Sequence, residues 1–399
     1  MDVIRKIQAF NAEREPERLA LKYAKMRGSA IAFMRGSCHL FYDRLPQCEL
    51  TRSAPLAWCC GDLHLENFGS YKADNRLVYF DINDFDEAAL APANWDLVRM
   101  LTSLQIGADG LGVGPTNVER LCALFLQTYS ASLVQGKAYW LEREAARGRV
   151  RELIEGLGDR SRAALLDTRT RVKGKQRLLL VDGKKALPLT DTQRHAVSNL
   201  MAGFAQAQAH PDFFQVLDVA RRIAGTGSLG VERYVILVRG KGSPDGNYLL
   251  DLKQAVPSSL RPHLKVPQPD FESQAHRVVA VQTRMQAVAM AFLHPVLFDA
   301  KPCVLRDLQP SEDRIALRQR GQTLGVWNQL VQTLAQLVAW AQLRSTGRDG
   351  SAMTDELIAF GQDTDWVDHL LDVSTACARQ VREDAATFNA AFDEGEFSR

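Results

Sequence analysis

Two polar clusters on either side of a short apolar run constrain this chain more than any other feature. The apolar run, residues 77–80, reads Leu-Val-Tyr-Phe and is typical of a β-strand. A tight hairpin built around it would bring the two clusters together at one end of a strand pair. The polar members of the clusters are Asp62, His64, Asn67, Asp81, Asp84 and Asp86.

Phosphoryl transfer needs side chains of these types. One carboxylate orients the attacking hydroxyl or accepts its proton, while an Asn and a separate Asp hold magnesium against the nucleotide phosphates. The pattern therefore predicts that Asp62 is the catalytic base and that Asn67, Asp84 and Asp86 are the metal ligands. His64 is predicted to be a hydrogen-bonded scaffold residue of the same loop.

A glycine-rich run begins about 160 residues after the first cluster. Gly225, Gly227 and Gly230, with Ser228 among them, let the backbone approach phosphates. The next residues, VERYVILV, are β-branched, so the run predicts a loop between strands and not the start of a dinucleotide-binding helix. Lys253 lies near the end of the following strand-like segment, where we expect it to contact the nucleotide phosphates.

Several of these motifs resemble those of known families. Residues 61–67 (GDLHLEN) resemble the catalytic loop of aminoglycoside and choline kinase-like phosphotransferases, and residues 84–86 (DFD) resemble their metal-binding segment. Residues 94–97 (NWDL) resemble the helix start, with a buried Asp, that follows in those enzymes. FMRG, GDLHLENFG, INDFDE, WDLVR and GTGSLG together resemble more closely a bacterial family catalogued as domain of unknown function 2252. The kinase resemblance implies ATP and Mg²⁺ as cofactors.

The order of the parts predicts an unusual connectivity, because ordinary kinases place the glycine loop and lysine before the catalytic loop. We expect an α+β, two-lobed protein-kinase-like fold that is circularly permuted. Residues 1–214 would form the large-lobe catalytic segment with a helical insert, residues 215–310 the small-lobe nucleotide-binding segment, and residues 311–399 helices that return to the large lobe. Helices are predicted at residues 95–106, from residue 115, and at about 321–345 and 353–392.

One position departs from the kinase pattern. A kinase helix carries a glutamate that pairs with the lysine, and the resemblance implies this glutamate where the chain has Ala280. Glu272, expected on the first turn of the same helix, is the alternative partner for Lys253. The departure leaves open a non-catalytic nucleotide sensor or scaffold.

The leading interpretation is an ATP- and magnesium-dependent phosphotransferase that acts on a hydroxyl of a small molecule or protein. The same residues would also serve nucleotidyl transfer. A metal-dependent phosphoesterase is disfavoured, because two-metal sites need several histidine ligands. Of the eight histidines, His64 alone lies in the polar clusters.

The bulk composition narrows the partners and the compartment. A net charge of +2 argues against dominant nucleic-acid binding. Seven cysteines with no CxxC pair predict free thiols in a reducing cytoplasm. No apolar run approaches the roughly 20 residues of a membrane span, so no membrane partner is expected. Residues 137–185 carry 14 basic and 7 acidic side chains, which fits either solvated helices or a patch facing an anion.

Overall fold

The computed structural model describes residues 2–315 and 322–397. The chain has a mixed α+β architecture with more residues in helices than in strands. The helices are α1 (Val3–Phe10), α2 (Pro16–Arg27), α3 (Ala30–Gly36), α4 (Cys38–Arg44), α5 (Leu50–Ser53), α6 (Asn94–Leu111), α7 (Pro115–Val134), α8 (Gly148–Asp159), α9 (Arg162–Asp167), α10 (Asp191–Gln206), α11 (Gln274–Met285), α12 (Leu324–Arg344), α13 (Thr354–Gln362) and α14 (Trp366–Asp393).

The strands form one large sheet and several two-stranded units. They are β1 (Leu56–Cys59), β2 (Phe68–Lys72), β3 (Val78–Ile82), β4 (Ala89–Pro92), β5 (Thr170–Lys173), β6 (Gln176–Leu179), β7 (Ala186–Leu187), β8 (Val216–Arg222), β9 (Arg233–Val238), β10 (Tyr248–Gln254), β11 (His294–Phe298) and β12 (Lys301–Asp307). The large antiparallel sheet has the order β11-β12-β10-β9-β8-β7 and curls into a half-barrel. The two-stranded units are β1 with β4, β2 with β3, and β5 with β6.

The hairpin predicted around residues 77–80 is confirmed. Strands β2 and β3 pair antiparallel, with Phe68 opposite Ile82 and Lys72 opposite Val78. Strand β2 starts directly after Asn67, and β3 ends two residues before Asp84. Both polar clusters therefore lie at the open end of the hairpin, and its turn lies at the other end.

Strand β9 lies at the centre of the large sheet and is buried along its whole length. Ile236 and Val238 pack on one face against apolar residues of α10 and the segment around Phe214. Val235 and Leu237 pack on the opposite face. Side chains alternate between the faces of a strand, so covering both faces explains the uninterrupted apolar sequence of β9.

A large helical core surrounds the hairpin. Helix α12 packs along α7, and α14 packs along α6. Leu97, Leu101 and Leu104 of α6 are fully buried, and the helices predicted at residues 95–106 and from residue 115 are confirmed. Helix α14 also contacts α1, α2 and α3, and Arg27 pairs with Asp393 at 2.9 Å.

The C-terminal helices differ in part from the prediction. Helix α12 matches the segment predicted at about 321–345, although residue 321 lies outside the described residues. A single helix over 353–392 is wrong, because α13 ends at Gln362 and α14 begins at Trp366. Between them, Asp365 N donates to the Asp363 carboxylate at 3.0 Å. Such a local side-chain bond competes with the helical backbone and divides the segment.

Two further features of the structure concern its helices and its cysteines. None of the helices among residues 2–315 and 322–397 is long and apolar enough to cross a membrane. All seven cysteines are free, and six of them are buried. Burial raises the pKa of the thiols of Cys38, Cys59 and Cys60, which keeps them protonated.

Candidate functional site

The open end of the hairpin faces the glycine run across a narrow cleft. The cavity in this cleft has a volume of about 60 Å³. It is lined by almost every residue predicted for the site: Asp62, Asn67, Asp84, Asp86, Gly225, Gly227, Ser228 and Lys253. Gly230 is absent from the lining among the described residues. We refer to this cavity and all the residues that line it, which also include Phe10, as the cleft.

Asp62, the predicted base, is held by a buried arginine. Arg99 of α6 donates from Nε to Asp62 Oδ1 at 2.8 Å, and its Nη2 contacts the same oxygen. Burial raises the pKa of the Asp62 carboxyl, and the charge of Arg99 limits that rise. The second carboxylate oxygen, Oδ2, lies 3.9 Å from His64 Nε2. Arg99 therefore fixes the orientation of Asp62 through one oxygen only.

His64 behaves as a scaffold residue. Its Nδ1 accepts a hydrogen bond from the backbone N–H of Glu66 at 3.1 Å. Burial lowers the pKa of His64 well below its usual value, and the nearby charges of Arg35 and Arg99 lower it further. The imidazole is therefore neutral at physiological pH and unsuited to hold a positive charge in this loop.

Asn67 spans the two clusters and leaves one acceptor unused. Its Nδ2 donates to the backbone carbonyls of Asp62 at 3.1 Å and Asp84 at 3.2 Å. These bonds fix the amide, and its Oδ1 is buried with no hydrogen-bond partner among the described residues. A buried acceptor without a partner costs about 1–3 kcal/mol. The Asn67 oxygen is thus available as a ligand for a hard cation.

Asp84 is a carboxylate surrounded by positive charge. Burial opposes its ionisation, but the charges of Lys253, Arg314 and Arg306 outweigh burial and lower the pKa of Asp84 below its usual value. Its Oδ1 is 3.5 Å from the backbone nitrogen of Asp86, which is a marginal hydrogen bond. The surrounding positive charges are therefore the main interactions of this carboxylate. Asp84 is therefore ionised throughout the physiological pH range, as a metal ligand must be.

Lys253 pairs with Asp86 and not with a residue of helix α11. The Lys253 ammonium is buried and forms an ion pair with the Asp86 carboxylate. Glu272, the predicted alternative partner, lies before the helix start, is 83% exposed and pairs with His276. The expectation for Glu272 is therefore wrong, because the chain reaches α11 through a loop that leaves this side chain in solvent.

Helix α11 presents an arginine to the site. Arg277 donates to the backbone carbonyls of Ala88 at 2.5 Å, Asp86 at 2.8 Å and Val256 at 3.0 Å. The guanidinium ties the segment after the second polar cluster to the end of β10. Ala280 lies one turn further along the same helix. A cation that binds carbonyls thus occupies the side of the helix from which an acid was expected.

The glycine run has its carbonyl and N–H groups in different environments. Arg14 donates to the carbonyls of Gly227 at 2.6 Å and Leu229 at 2.7 Å, and Lys22 donates to Gly227 at 3.0 Å. The N–H groups of residues 225–228 donate to no acceptor in the part of the chain that the structure describes. A loop whose carbonyls are engaged by cations and whose N–H groups are unused is suited to bind an anion.

Two glycines of the site are required by close approach. Gly61 has φ of +81°, and a Cβ there would lie 2.2 Å from the Glu87 carbonyl oxygen. A Cβ on Gly227 would lie 2.9 Å from the Arg35 carbonyl oxygen. Gly230 has a different place, because its carbonyl accepts from the Glu15 N–H at 3.0 Å. It anchors the α1–α2 connection instead of lining the cleft.

Asp96 is buried, as the resemblance of residues 94–97 implies, and it binds the backbone of the first polar cluster. The backbone N–H groups of Cys60 and Gly61 donate to its two carboxylate oxygens at 2.8 and 3.0 Å. Burial nevertheless raises the pKa of Asp96 to about 6. Arg99 lies three residues later on α6, so a single helix face carries both residues that hold the loop.

A buried arginine cluster lies beside the cleft. Asp251, two residues before Lys253, accepts from Arg233 at 2.8 and 2.6 Å. Arg222 lies 2.8 Å and Arg306 3.5 Å from the same carboxylate. Three arginines around one aspartate leave a surplus of positive charge in a buried position. This surplus favours anions in the neighbouring space.

A larger basic chamber adjoins the cleft and shares Arg35, Gly225, Thr226 and Arg314 with it. The cavity in this chamber has a volume of about 460 Å³. The basic residues of its wall are Lys25, Arg35, Arg169, Lys184, Lys185, Arg222 and Arg314. Part of the basic stretch at 137–185 therefore faces a cavity, while Arg143 and Arg151 form exposed ion pairs with Glu155.

The metal-ligand inventory of the cleft is sparse. In residues 2–315 and 322–397 no group of three or more His, Cys, Asp or Glu side chains lies close enough together to hold a metal ion. Magnesium takes one or two carboxylates and completes its coordination with substrate phosphates and water. The unpartnered oxygen of Asn67 and the ionised Asp84 fit that requirement, and Asp86 fits it once Lys253 is drawn away.

Sequence reasoning missed the cations that organise the cleft. Arg99, Arg277 and Arg14 each bind a group that the motifs had singled out. Only Arg99 carried a usable signal, since it follows Asp96 by one helical turn within the WDLVR run. Arg14 and Arg277 reach the site from distant parts of the sequence, and no local pattern indicates their targets.

Comparison with known proteins identifies one family. A search of curated proteins and a search of solved structures return no match. A protein family described as "Uncharacterized protein conserved in bacteria" matches residues 14–391, which is nearly the whole chain. The match includes every residue that lines the cleft except Phe10. The chain therefore belongs to this bacterial family, DUF2252.

Proposed function

We propose that this protein is a magnesium- and ATP-dependent phosphotransferase that acts on a hydroxyl of a small molecule or protein. The observation that carries the proposal is the meeting of four kinds of group around one cleft. They are the unused N–H groups of the glycine loop, the Lys253 ammonium, the oxygen ligands Asn67 and Asp84, and the carboxylate Asp62.

The phosphates find their partners on the glycine side. Unused backbone N–H groups at residues 225–228 and the ammonium of Lys253 suit the oxygens of a phosphate chain. A space of about 60 Å³ is too small for a whole nucleotide. The adjoining basic chamber has room for the rest, and the two share the glycine loop. An anionic nucleotide that extends from one into the other fits the surplus of buried arginines.

The metal ligands are on the hairpin side. Asn67 and Asp84 would hold magnesium, with Asp86 as a further ligand. The metal would neutralise charge on the phosphates. Lys253 now neutralises Asp86, so a phosphate that attracts Lys253 would release Asp86 for the metal. Metal and nucleotide binding are therefore expected to strengthen each other.

Asp62 has the properties of a base for the acceptor hydroxyl. Burial raises the pKa of its carboxyl toward neutrality, which improves proton acceptance. Arg99 holds Oδ1, and Oδ2 is directed toward His64 at the wall of the cleft. His64 is neutral, so it does not form an ion pair with the Asp62 carboxylate.

The proposal includes a kinase-like arrangement of two lobes in permuted order. Support comes from the chain order of strand β8, the glycine run, β9, β10 with Lys253, helix α11, β11 and β12. These elements follow the hairpin with Asp62 and Asp84, as a permuted connectivity requires. The antiparallel pairing of β8, β9 and β10 puts the glycine loop and Lys253 at the same end of the sheet.

A non-catalytic nucleotide sensor is the second candidate. It is favoured by the ion pairs that occupy the cleft, since Asp62 is paired with Arg99 and Lys253 with Asp86. It is also favoured by Arg277 and Ala280 on helix α11, where a kinase has an acid. Nucleotidyl transfer would use the same residues and differs in the group that is transferred.

Calorimetry with ATP, in the presence and absence of magnesium, tests the binding step. We expect the wild type to bind ATP more tightly with magnesium, and Asp84→Ala to lose that difference because a ligand is missing. Asp212→Ala is the control, since Asp212 is an exposed residue whose carboxylate pairs with Arg239. Unchanged magnesium dependence in Asp84→Ala would remove Asp84 from the metal site.

Incubation with ATP labelled in the γ or the α phosphate tests the chemistry. Transfer of γ label supports phosphoryl transfer, and transfer of α label alone supports nucleotidyl transfer. Asp62→Asn should keep nucleotide affinity and lower turnover by about 10²–10⁴-fold. Tight binding without transfer to any acceptor, including the protein itself, would favour the sensor.

A further inference from the structure

A second cavity lies along the hairpin toward its turn, away from the cleft. We name it the hairpin cavity, and its volume is about 280 Å³. Its wall combines strand β2, the junction of α8 and α9, the start of β10 and the segment after β12. None of its lining residues among those described lines the cleft. It is therefore a separate space on the same hairpin.

Three buried polar atoms at this cavity have no partner. Ser70 Oγ, Tyr248 Oη and Gln309 Oε1 form no hydrogen bond within residues 2–315 and 322–397. Their residues are 0%, 8% and 6% exposed, respectively. An unsatisfied buried polar group destabilises the fold, so buried polar atoms normally have partners. Three around one cavity indicate an occupant that supplies donors and acceptors.

The same cavity has an excess of positive charge. Four of its basic residues have no carboxylate within ion-pair distance among the described residues: Lys72, Arg76, Arg162 and Lys241. Arg160 is already paired with Asp313 at 2.7 Å. The Arg162 guanidinium stacks 3.7 Å from the centre of the Tyr248 ring, which holds it against the wall. A bound anion would neutralise part of this positive charge.

The wall also has an apolar part, and the carboxyl of Asp307 lines the same cavity. Leucine side chains from α8, α9 and β10 line the cavity together with Met290, and they are Leu157, Leu165, Leu166 and Leu249. An inorganic ion would leave this surface in contact with water. A ligand with an anionic end and a carbon body would use both kinds of wall. The volume suits a molecule smaller than a nucleotide.

We propose that the hairpin cavity binds a small organic anion, a phosphate ester or a carboxylate whose body carries hydroxyl groups. The anionic group would be held by Arg162 and Lys72. The hydroxyl groups would exchange hydrogen bonds with Ser70, Tyr248 and Gln309. This site uses no residue of the cleft and, among the described residues, shares only Leu308 with the basic chamber, so its polar groups serve no step of the proposed phosphotransferase activity.

Calorimetry and ligand-observed NMR with three probes test the site. The probes are glycerol 3-phosphate, D-glycerate and uncharged glycerol, each up to about 10 mM. We expect one or both anions to bind and glycerol to bind much more weakly. Binding of the phosphate alone or of the carboxylate alone assigns the anion class. Absence of binding by both anions, or equal binding of glycerol, overturns the proposal.

Variants locate the binding. Arg162→Gln should weaken binding of the anion by about tenfold or more, since a charged hydrogen bond is lost. Ser70→Ala should weaken it several-fold and carries little risk to folding, because its hydroxyl has no partner to lose. Arg151→Gln, an exposed residue of α8 paired with Glu155, is the matched control. Unchanged affinity in both Arg162→Gln and Ser70→Ala would overturn the assignment.

Discussion

The two ends of one hairpin carry charge in opposite ways. At the open end, two ion pairs occupy side chains of the cleft, Lys253 with Asp86 and Asp62 with Arg99. Toward the turn, the hairpin cavity has four basic side chains without a carboxylate partner among the described residues. The same strand pair therefore supports one site that is electrostatically closed and one that is open.

The difference shows what each site requires of a ligand. A ligand of the cleft must compete with ion pairs that already exist, so it needs charges of both signs, such as a phosphate chain with its metal. A ligand of the hairpin cavity meets charges and polar atoms that have no partner to give up. The first site is suited to selecting a composite ligand, and the second to binding a simple anion.

Replacing Arg99 is the strongest way to break the closed character of the cleft. Arg99→Gln would leave the partly buried Asp62 carboxylate without its cation, which typically costs about 3–5 kcal/mol of unfolding free energy. Urea denaturation measures the loss. Arg143→Gln is the control, since Arg143 forms an exposed ion pair with Glu155 that is worth at most about 1 kcal/mol. A similar small loss in both variants would mean that the cleft pair is not structural.

The pH dependence of stability should have opposite signs at the two sites. Burial raises the pKa of Asp307, in the hairpin cavity, to about 7, and Lys72 and Arg76 limit the rise. Its protonated form is favoured in the folded state. The contribution of Asp307 to the free energy of unfolding is therefore fully present below pH of about 4, the unfolded pKa, and is lost as pH rises through about 7.

In the cleft, the cations that outweigh burial lower the pKa of Asp84. Its contribution is present above pH of about 4 and is lost on acidification.

Urea denaturation of wild type, Asp307→Asn and Asp84→Asn between pH of about 3 and 8 measures both effects. The stability of wild type relative to Asp307→Asn should fall with rising pH by about 2–4 kcal/mol. Relative to Asp84→Asn, it should increase with pH at the acidic end of the range. Equal slopes for both variants would contradict the contrast between the two sites.

The smallest expected effect concerns the unpartnered hydroxyl of Ser70. Without ligand, Ser70→Ala should change the unfolding free energy by less than about 1 kcal/mol, and in the stabilising direction if it changes it at all. Ser37→Ala is the comparison, because the buried Ser37 Oγ donates to the Phe33 carbonyl at 2.6 Å. That variant should lose about 0.5–1.5 kcal/mol. A larger loss in Ser70→Ala would show that its hydroxyl has a partner in the folded protein.

Local sequence predicted the parts of the cleft that are close along the chain. The apolar run at residues 77–80 sufficed for the hairpin, and the helical spacing from residue 95 sufficed for α6. The strand character of the residues after Gly230 gave β9. These features depend on backbone preferences within a few residues, which a single sequence displays directly.

The partners of these parts could not be predicted in the same way. Lys253 pairs with Asp86 across 167 residues, and Arg14 binds the glycine run across 213 residues. The hairpin cavity draws its wall from five separated segments, and none of them has a motif. Such contacts depend on how the elements pack, and buried charges reveal their partners only once the packing is known. The interruption at Asp363 was missed because a side-chain bond overrode the helical pattern.

The anchoring of the glycine run by the first helices has a consequence for how the chain is made. Lys22 binds a carbonyl 205 residues later, and Gln8 binds the carbonyl of Glu396 at the far end of the chain. A ribosome releases the first helices long before these partners are synthesised. During that time, Val3 and Ile7 of α1 lack part of the surface against which they pack. Contacts this distant along the chain also slow folding. The apolar face of α1 therefore stays partly uncovered until α14 has been synthesised.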